Sequence, residues 1–435
     1  MALRRQLVAD GVYSFALRIV NMILAAALGI LTARVLGPQG RGIYALPMVE
    51  AGLVTAAFAG LTSAISFYLL REGAGRGILR PTLLSSIGFF ISGTVAILLI
   101  ARGAHAMWAA LPAILSLPAA IAMMVGTGYA TGTRKIRLIT GLASASVILT
   151  ITFMAGAFLV FGKAPSSAIG AWIVSGNVLG VAILAWVILD SRRLPDGTVR
   201  LRDYVWYAMR SGSVNLVSLL NYRADIYIVA ILADTRSLGM YTIAVAAAET
   251  LLTATQVTTI VTSPHVGSLG LNEAAQLVAR CVRHNVLVAG VCSAALAILA
   301  PFAVSLLYGP AFLPMVPALR VLLIGVFALS LGGPMSNFFT LRLGRPEVAL
   351  TLACVSAAIC IGVSWFMIPR IGLVGAALGS TLGYVLSQTT AIIYFRIVSG
   401  ISAKTMLLPK ASDFSMYAGL LTGLVKRVGT LGSAR

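Results

Sequence analysis

The sequence predicts an all-α protein that crosses a membrane many times. Hydrophobic residues make up 59% of the 435-residue chain and charged residues only 10%, and the mean hydropathy is +0.98. These values lie far outside the range of ordinary soluble domains. Long Leu-, Ala-, Val- and Gly-rich blocks without period-2 alternation favour membrane helices over a transmembrane β-barrel.

The number of spans follows from the distribution of charge. Nine runs of at least 20 residues contain no charged side chain, and each could cross a hydrocarbon core of ~30 Å at ~1.5 Å per residue. Three further stretches are equally apolar but carry ionisable residues. The charge-free runs are 51–70, 81–101, 106–133, 138–162, 164–189, 285–319, 321–341, 348–369 and 371–395, and the other stretches are roughly 12–33, 204–232 and 238–264. We therefore expect twelve transmembrane helices.

Basic residues lie mainly on one side of the predicted membrane. The formal net charge is +20, and 22 Lys and Arg side chains fall on one face whereas six fall on the other. The positive-inside rule makes the richer face cytoplasmic, which places both termini in the cytoplasm. This sorting by side accounts for the basic charge, so nucleic acid is not an expected partner.

A polar connection divides the chain near its middle. The segment DSRRLPDGTVRLRD is the longest polar connection there, and it separates spans six and seven. We expect an N-terminal lobe at 1–190, a cytoplasmic linker at 191–203, a second six-span lobe at 204–400 and a cytoplasmic tail at 401–435. Within the tail, 412–429 has one apolar helical face, which predicts an interfacial amphipathic helix, with a loosely ordered tail as the alternative.

An internal repeat supports the division into two lobes. ARVLGPQGRGIYAL in the first lobe aligns with AILADTRSLGMYTI in the second at an offset of 197 residues. The copies share a Gly-x-Tyr motif, formed by Gly42 and Tyr44 in one and by Gly239 and Tyr241 in the other. Both copies join the first two spans of their lobe on the outer face. The lobes are therefore predicted to be parallel repeats related by an axis along the membrane normal.

The seventh span carries a stripe of polar side chains. Its members follow spacings of 4, 3, 4 and 3 residues, and at ~100° per residue they share one narrow helix face. They are Ser211, Asn215, Ser218, Tyr222 and Asp225. Such a stripe predicts the wall of a wet cavity. Asn215, Ser218 and Tyr222 are therefore candidate substrate-binding residues, and Asp225 is a candidate for ion coupling.

Other candidates are polar and ionisable groups embedded in further spans. Ionisable groups cost ~2.5–3.5 kcal/mol each on insertion scales, so they usually face a cavity or a partner. Arg18 and Asn21 share a face of the first span, Glu50 lies in the second, and Glu249 and Gln256 lie in the eighth. We expect Arg18, Asn21 and Gln256 to line the cavity. Glu50 and Glu249 are candidates for coupling transport to protons or sodium.

Three embedded arginines suit an anionic ligand. Arg18, Arg223 and Arg320 fall within predicted spans, and guanidinium groups bind phosphate through fixed pairs of donors. Arg223 lies ~120° away from the polar stripe of its span. The alternative is that these residues form interhelical ion pairs, for example Arg320 with Glu50, which would lock or gate the helices without touching substrate.

The sequence contains no recognisable motif for covalent or metal chemistry. Nucleotide-binding loops, HExxH pairs, CxxC pairs and Ser/His/Asp constellations are absent, and we predict neither a cofactor nor a metal. The four cysteines are typical of small apolar residues. GPQGRG joins two predicted membrane helices without a strand, which favours a tight turn over a phosphate loop.

Four segments resemble one protein family. The first two spans, in NMILAAALGILTARVLGPQGRGIYAL, resemble those of the polysaccharide-biosynthesis flippases, the O-antigen and exopolysaccharide translocases of the MOP exporter superfamily. Three later segments are similar to the same family in the same order: NYRADIYIVAILADTRSLGMYTIAVAAAETL, LLYGPAFLPMVPALRVLLIGV and GRPEVALTLACVSAAICIGVSWFMIPRIGLVGAALGSTLGY. Spans three to six match the family by topology.

The resemblance implies a MATE/MOP-like fold, with two six-helix lobes around a central cavity, and a function. Members are thought to move undecaprenyl-pyrophosphate-linked glycans by alternating access. We therefore expect a monomeric flippase, not an enzyme, that moves a lipid-linked oligosaccharide to the outer leaflet of the bacterial cytoplasmic (inner) membrane. The pyrophosphate would engage Arg18, and Asp225 matches an acidic residue common in the family's seventh span. Membrane lipids, a glycan polymerase and glycosyltransferases are the expected partners.

Three other functions fit parts of the sequence. A multidrug or metabolite cation antiporter on the same fold would favour acidic cavity groups, and both signs of charge occur here. A membrane-embedded glycan polymerase or glycosyltransferase would need catalytic loops, whereas the outer connections have eight residues or fewer. A non-enzymatic scaffold within a glycan-synthesis complex is the third alternative.

Overall fold

The computed structural model is almost entirely helical and describes residues 2–70, 75–103 and 107–410. Its helices are α1 Ala2–Phe58, α2 Gly60–Leu70, α3 Leu79–Gly103, α4 Met107–Gly132, α5 Ile136–Val160, α6 Pro165–Ser191, α7 Leu201–Leu232, α8 Thr235–Ser268, α9 Leu271–Leu307, α10 Val316–Ser330, α11 Gly332–Asn337, α12 Pro346–Ile371, α13 Leu373–Ser399 and α14 Ala403–Leu407. The amphipathic helix predicted at 412–429 lies outside the described residues.

Many of these helices are suited to a bilayer. Among the described residues, nine helical stretches are long and apolar enough to cross a membrane. One of them, Ile19–Leu70, has 52 residues and contains most of the first predicted span and all of the second. The chain is therefore a multi-pass membrane protein. Twelve spans with both termini in the cytoplasm remain a prediction, and α8 and α13 occupy the positions predicted for spans eight and twelve.

The connection between the first two predicted spans lies inside α1. The backbone leaves helical geometry at Gly37, where φ is 67° and ψ is −180°, and Pro38 follows directly. Glycine adopts a positive φ at little cost, and proline suits the first turn of a helix because the missing N–H would have no partner there. The tight turn predicted at GPQGRG is thus a helix break at one residue.

Packing groups the described residues into two compact units. The first contains the chain up to Ala246, Pro301–Ala318 and Cys360–Gly379, and the second contains Ala247–Ala300, Leu319–Ile359 and the chain from Ser380 onward. This grouping reports packing alone, and the lobes predicted at 1–190 and 204–400 remain a prediction.

In the first unit, α7 packs closely against α1 and α2. A Cβ atom on Gly60 would lie 1.9 Å from the carbonyl oxygen of Ala208, and one on Gly212 would lie 2.1 Å from that of Ala57. Glycine is required at both positions because the two backbones are in direct contact. Buried side chains of α2, α4, α6 and α7, among them Tyr204, complete an apolar core beside this contact.

In the second unit, a buried amide joins three helices. Asn285 on α9 is 1% exposed. Its side-chain oxygen accepts a hydrogen bond from the Thr258 hydroxyl of α8 at 2.9 Å, and its amide nitrogen donates to the Ser330 carbonyl of α10, also at 2.9 Å. Both polar ends of Asn285 are satisfied, so the amide fixes the register of the three helices without an exposed polar surface.

Candidate transport site

The two copies of the internal repeat meet within the first unit. A Cβ atom on Gly42 would lie 1.6 Å from the Thr235 carbonyl oxygen, and a Cβ atom on Gly239 would lie 2.0 Å from the Pro38 carbonyl oxygen. Thr235 follows Pro38 by 197 residues, as Gly239 follows Gly42, so the contact is reciprocal, as across a two-fold axis. The sparse sequence repeat therefore records a structural equivalence.

The tyrosine of each copy is buried, but only one of the two hydroxyls has a partner among the described residues. Tyr241 is fully buried and its hydroxyl donates to Asp225 Oδ2 at 2.6 Å. Tyr44 is 1% exposed, and its hydroxyl has no hydrogen-bond partner within the part of the chain that the structure describes. At the repeat offset, Leu28 stands where the second copy has Asp225, and it packs in the same apolar cluster as Tyr44. The Arg41 guanidinium lies over the Tyr44 ring, 5.1 Å from its centre.

The polar stripe predicted on α7 divides into an exposed part and a buried end. Asn215, Ser218 and Tyr222 are exposed. The hydroxyl of Ser218 donates to the Val214 carbonyl of its own helix at 2.9 Å. Asp225 is 2% exposed, and both its carboxylate oxygens accept hydrogen bonds, one from Tyr241 and one from a backbone N–H. The structure thus places the carboxylate in a fixed, satisfied environment.

The carboxylate of Glu50, unlike that of Asp225, is buried without hydrogen-bond partners among the described residues. It is 3% exposed on α1, and neither carboxylate oxygen has a hydrogen-bond partner in the described part of the chain. An ionised carboxylate in such an environment costs several kcal/mol unless a cation or proton accompanies it. Glu249, the third ion-coupling candidate, is half-buried on α8.

The remaining predicted site residues lie on several helices. Asn21 is half-buried on α1, and its side-chain oxygen has no partner in the part of the chain described here. Arg223 is half-buried on α7 and Gln256 is exposed on α8. Arg320 is exposed, and its Nε donates to the Ala297 carbonyl of α9 at 3.0 Å. Arg18 lies on α1, and its side chain is outside the described part of the structure.

Sequence reasoning missed a cavity of about 230 Å³ among α1, α4, α5 and α6. Four hydroxyl side chains and one indole stand out among its lining residues, which are otherwise small or apolar. They are Thr55, Ser116, Ser146, Thr150 and Trp172. Serine and threonine are common in membrane helices, so their presence in charge-free spans gave no signal. Only packing shows that four of them share one space.

Metal ligation finds no support in the described residues. They contain no group of three or more His, Cys, Asp or Glu side chains that could hold a metal ion. The site is thus a set of separate features: the repeat contact, one satisfied and one unsatisfied buried carboxylate, dispersed arginines and a hydroxyl-lined cavity.

The fold is that of transporters of the MOP superfamily. An inward-facing multidrug resistance MATE family transporter of that superfamily superposes with a TM-score of 0.67 at 19% identity, over 87% of this chain and 94% of that chain. The lipid II flippase MurJ, in an inward closed conformation, gives 0.63 at 14% identity over 90% of each chain. A MOP superfamily transporter from Pyrococcus furiosus gives 0.60 at 17% identity, over 89% and 95%.

The family follows from the sequence. A family described as polysaccharide biosynthesis protein matches residues 78–317, more than half of the chain. The chain belongs to this polysaccharide biosynthesis family, as its resemblance predicts. The matched range includes spans three to six, for which topology alone carried the resemblance. No curated protein matches the chain.

Proposed function

We propose that this protein flips an undecaprenyl-pyrophosphate-linked oligosaccharide from the inner to the outer leaflet of the bacterial cytoplasmic membrane by alternating access. The observation that carries the proposal is membership of a polysaccharide biosynthesis family on a fold shared with a lipid II flippase. The pyrophosphate and the glycan need a polar path because transfer of charged and polar groups into hydrocarbon is costly. The lipid tail stays in the bilayer.

In this proposal, arginines receive the pyrophosphate. Arg320 uses Nε for the Ala297 carbonyl, and its terminal nitrogens donate to no group among the described residues, so they remain available to phosphate oxygens. Arg223 is half-buried on α7, and Arg18 is the third member of the set. Guanidinium suits this task because it keeps its charge and offers paired donors to oxyanions. Asn21, Asn215, Ser218, Tyr222 and Gln256 would contact the glycan.

The test is flipping of a lipid-linked oligosaccharide in vesicles containing the purified protein. We expect Arg18→Ala and Arg320→Gln each to lower the rate at least tenfold, because each removes charge-assisted hydrogen bonds worth ~1.5–3 kcal/mol. Arg102→Gln is the matched control, since Arg102 is exposed at the end of α3. Wild-type flipping rates in both Arg18→Ala and Arg320→Gln would show that these arginines play no part in transport. Absence of flipping by the wild-type protein would refute the proposed function.

We further propose that Glu50 couples transport to a cation gradient. Asp225 already has both oxygens hydrogen-bonded, whereas Glu50 has neither bonded within the described residues. An unsatisfied buried carboxylate gains most from a proton or sodium ion, so the cation would bind and leave as the lobes move. Glu249 and Asp225 are the other candidates for this role.

Imposed gradients separate these carboxylates. With a proton or sodium gradient across the vesicles, wild-type flipping should accelerate, and Glu50→Gln should abolish the acceleration while leaving the rate without a gradient nearly unchanged. Glu347→Gln, at an exposed carboxylate on α12, serves as the control. Retained acceleration in Glu50→Gln, together with its loss in Asp225→Asn or Glu249→Gln, would move the role to the other carboxylate.

A cation or drug antiporter on the same fold is the second candidate function. The specific observation in its favour is the structural likeness to multidrug resistance MATE transporters. Deletion of the gene in its native host distinguishes the two. Lipid-linked glycan accumulating on the cytoplasmic leaflet supports the flippase, whereas increased drug sensitivity with normal glycan supports the antiporter.

We also propose that the protein acts as a monomer alongside a glycan polymerase and glycosyltransferases, which co-purification in mild detergent would test.

A further inference from the structure

The cavity among α1, α4, α5 and α6 lies inside a helix bundle, all of it within the first compact unit. Its lining side chains are buried or half-buried, whereas residues that follow them on the outer faces of α5 and α6, such as Ile148 and Val174, are exposed and apolar. Hydroxyl groups thus point inward from helices whose lipid-facing sides carry branched aliphatic chains. This inverted polarity is typical of a wet or ligand-bearing interior.

The hydroxyls in the cavity have a defined hydrogen-bonding direction. Thr55 donates to the Gly52 carbonyl at 3.1 Å, Ser116 to the Ala113 carbonyl at 2.7 Å, and Thr150 to the Ser146 carbonyl at 2.9 Å. A hydroxyl has one hydrogen and two acceptor lone pairs. The hydrogens of these three hydroxyls are directed to their own helices, so their oxygens face a ligand as acceptors. Thr150 Oγ1 also lies 3.1 Å from the Ser175 hydroxyl. The cavity therefore favours a ligand rich in O–H donors.

The other lining groups narrow the ligand further. None of the described residues that line the cavity carries a charge, and Trp172 contributes an indole. A pyranose ring is neutral, carries several O–H donors and has an apolar C–H face that packs on an aromatic ring. The volume of about 230 Å³ is below the ~300–1,000 Å³ of pockets for drug-sized ligands, which limits the occupant to a group of about one sugar ring.

The cavity also has a neighbour on α7. Gly52 lines the cavity, and a Cβ atom placed on it would lie 3.6 Å from the Tyr227 hydroxyl. The Tyr227 hydroxyl thus lies beside Gly52 at the α1 wall, and it belongs to α7, the helix that bears the predicted polar stripe.

We propose that this cavity is a subsite for one uncharged sugar ring, which Thr55, Ser116 and Thr150 hold by accepting hydrogen bonds from its hydroxyls while Trp172 packs against its C–H face. The proposal rests on the proposed function, because the ring would belong to the translocated glycan. The subsite binds a sugar of the glycan, whereas the arginines bind the pyrophosphate.

Fluorescence of Trp172 tests binding directly. Purified protein in nanodiscs is titrated with methyl α-D-glucopyranoside and with N-acetyl-D-glucosamine, and Trp172→Phe identifies the responding indole. We expect a saturable change with at least one sugar. Thr150→Val should weaken binding about fivefold, since one neutral hydrogen bond contributes ~1 kcal/mol, and Ala120→Leu, which fills the cavity, should abolish it. Thr152→Val is the matched control, because Thr152 is exposed on the same helix and donates to the Ile148 carbonyl.

Two outcomes overturn the subsite. One is no saturable response to either sugar. The other is an equal response to decylphosphocholine and loss of it in Ala120→Leu but not in Thr150→Val, which would make the cavity a site for an alkyl chain.

The vesicle assay separates this proposal from the proposed function. If the subsite holds the sugar, the rate of flipping of the glycan-bearing lipid should fall in Thr150→Val and in Ala120→Leu. The rate for bare undecaprenyl pyrophosphate should stay at the wild-type value. Saturable sugar binding by a wild-type protein that flips nothing would refute the flippase and leave the subsite standing. Normal glycan flipping in both variants would refute the subsite and leave the flippase standing.

Discussion

The two copies of the repeat keep the same backbone contact but satisfy their buried groups differently. In the second copy, Tyr241 donates to the buried carboxylate of Asp225, whereas in the first copy Tyr44 has no such partner, because Leu28 occupies the equivalent position. Contact between the glycines therefore constrains both copies alike. The described hydrogen bond between tyrosine and carboxylate belongs to the second copy, whereas in the first copy a guanidinium lies over the tyrosine ring.

The turns that lead into the two copies differ as well. Gly37 and Asp234 are equivalent at the repeat offset. Gly37 breaks α1 through a positive φ. Asp234 instead precedes α8, where its Oδ1 accepts a hydrogen bond from the Ser237 N–H at 2.9 Å, in the manner of an N-cap. The same connection is thus made once by backbone freedom and once by a side chain.

Breaking the shared contact should have the largest effect, and it should be equal in both copies. Gly42→Ala and Gly239→Ala each place a Cβ atom within 2.0 Å of a backbone oxygen of the other copy. We expect each to cost more than the ~1–3 kcal/mol of ordinary overpacking, because backbone cannot move aside as a side chain can. Thermal unfolding in detergent measures the effect. Gly29→Ala is the control, since nothing lies within 4 Å of its Cβ position.

Removing the tyrosine hydroxyls should have a smaller and unequal effect. Tyr241→Phe removes a 2.6 Å donor from a buried carboxylate and should cost ~1.5–3 kcal/mol, the range for hydrogen bonds to charged groups. Tyr44→Phe removes a hydroxyl that has no partner among the described residues and should leave the unfolding temperature unchanged or slightly raised. Equal losses in the two variants would contradict the comparison of the copies.

The helix cap of the second copy should have the smallest effect. Asp234→Ala should cost ~1 kcal/mol, as for other N-caps, whereas Asp234→Asn should retain most of the stability. Hydrogen bonds with Ser237 lower the pKa of Asp234. The stability from this cap is therefore present above the ordinary aspartate pKa and is lost as the pH falls through the lowered value. The unfolding temperatures of wild type and Asp234→Ala should differ at neutral pH and converge at strongly acidic pH, and a constant difference would contradict the assignment.

Much of the fold was predictable because hydropathy reports the environment of each helix. The register of the repeat was also correct, since Gly42 and Gly239 meet in space. Sequence could not distinguish Glu50 from Asp225, because the difference depends on a hydroxyl donor 16 residues away, on the next helix. Likewise, Arg320 bonds to a backbone carbonyl, and such a partner leaves no residue-type signal.

The helix break at Gly37 also sets the mechanics of the joint between the first two predicted spans. With one non-helical residue, the joint has no slack to absorb motion. Any change in angle between the flanking helical segments must be taken up by the torsions of Gly37, since the proline ring fixes φ at Pro38. The two helical segments therefore turn relative to each other about one residue. The range of backbone torsions open to Gly37 sets how easily the angle between them changes.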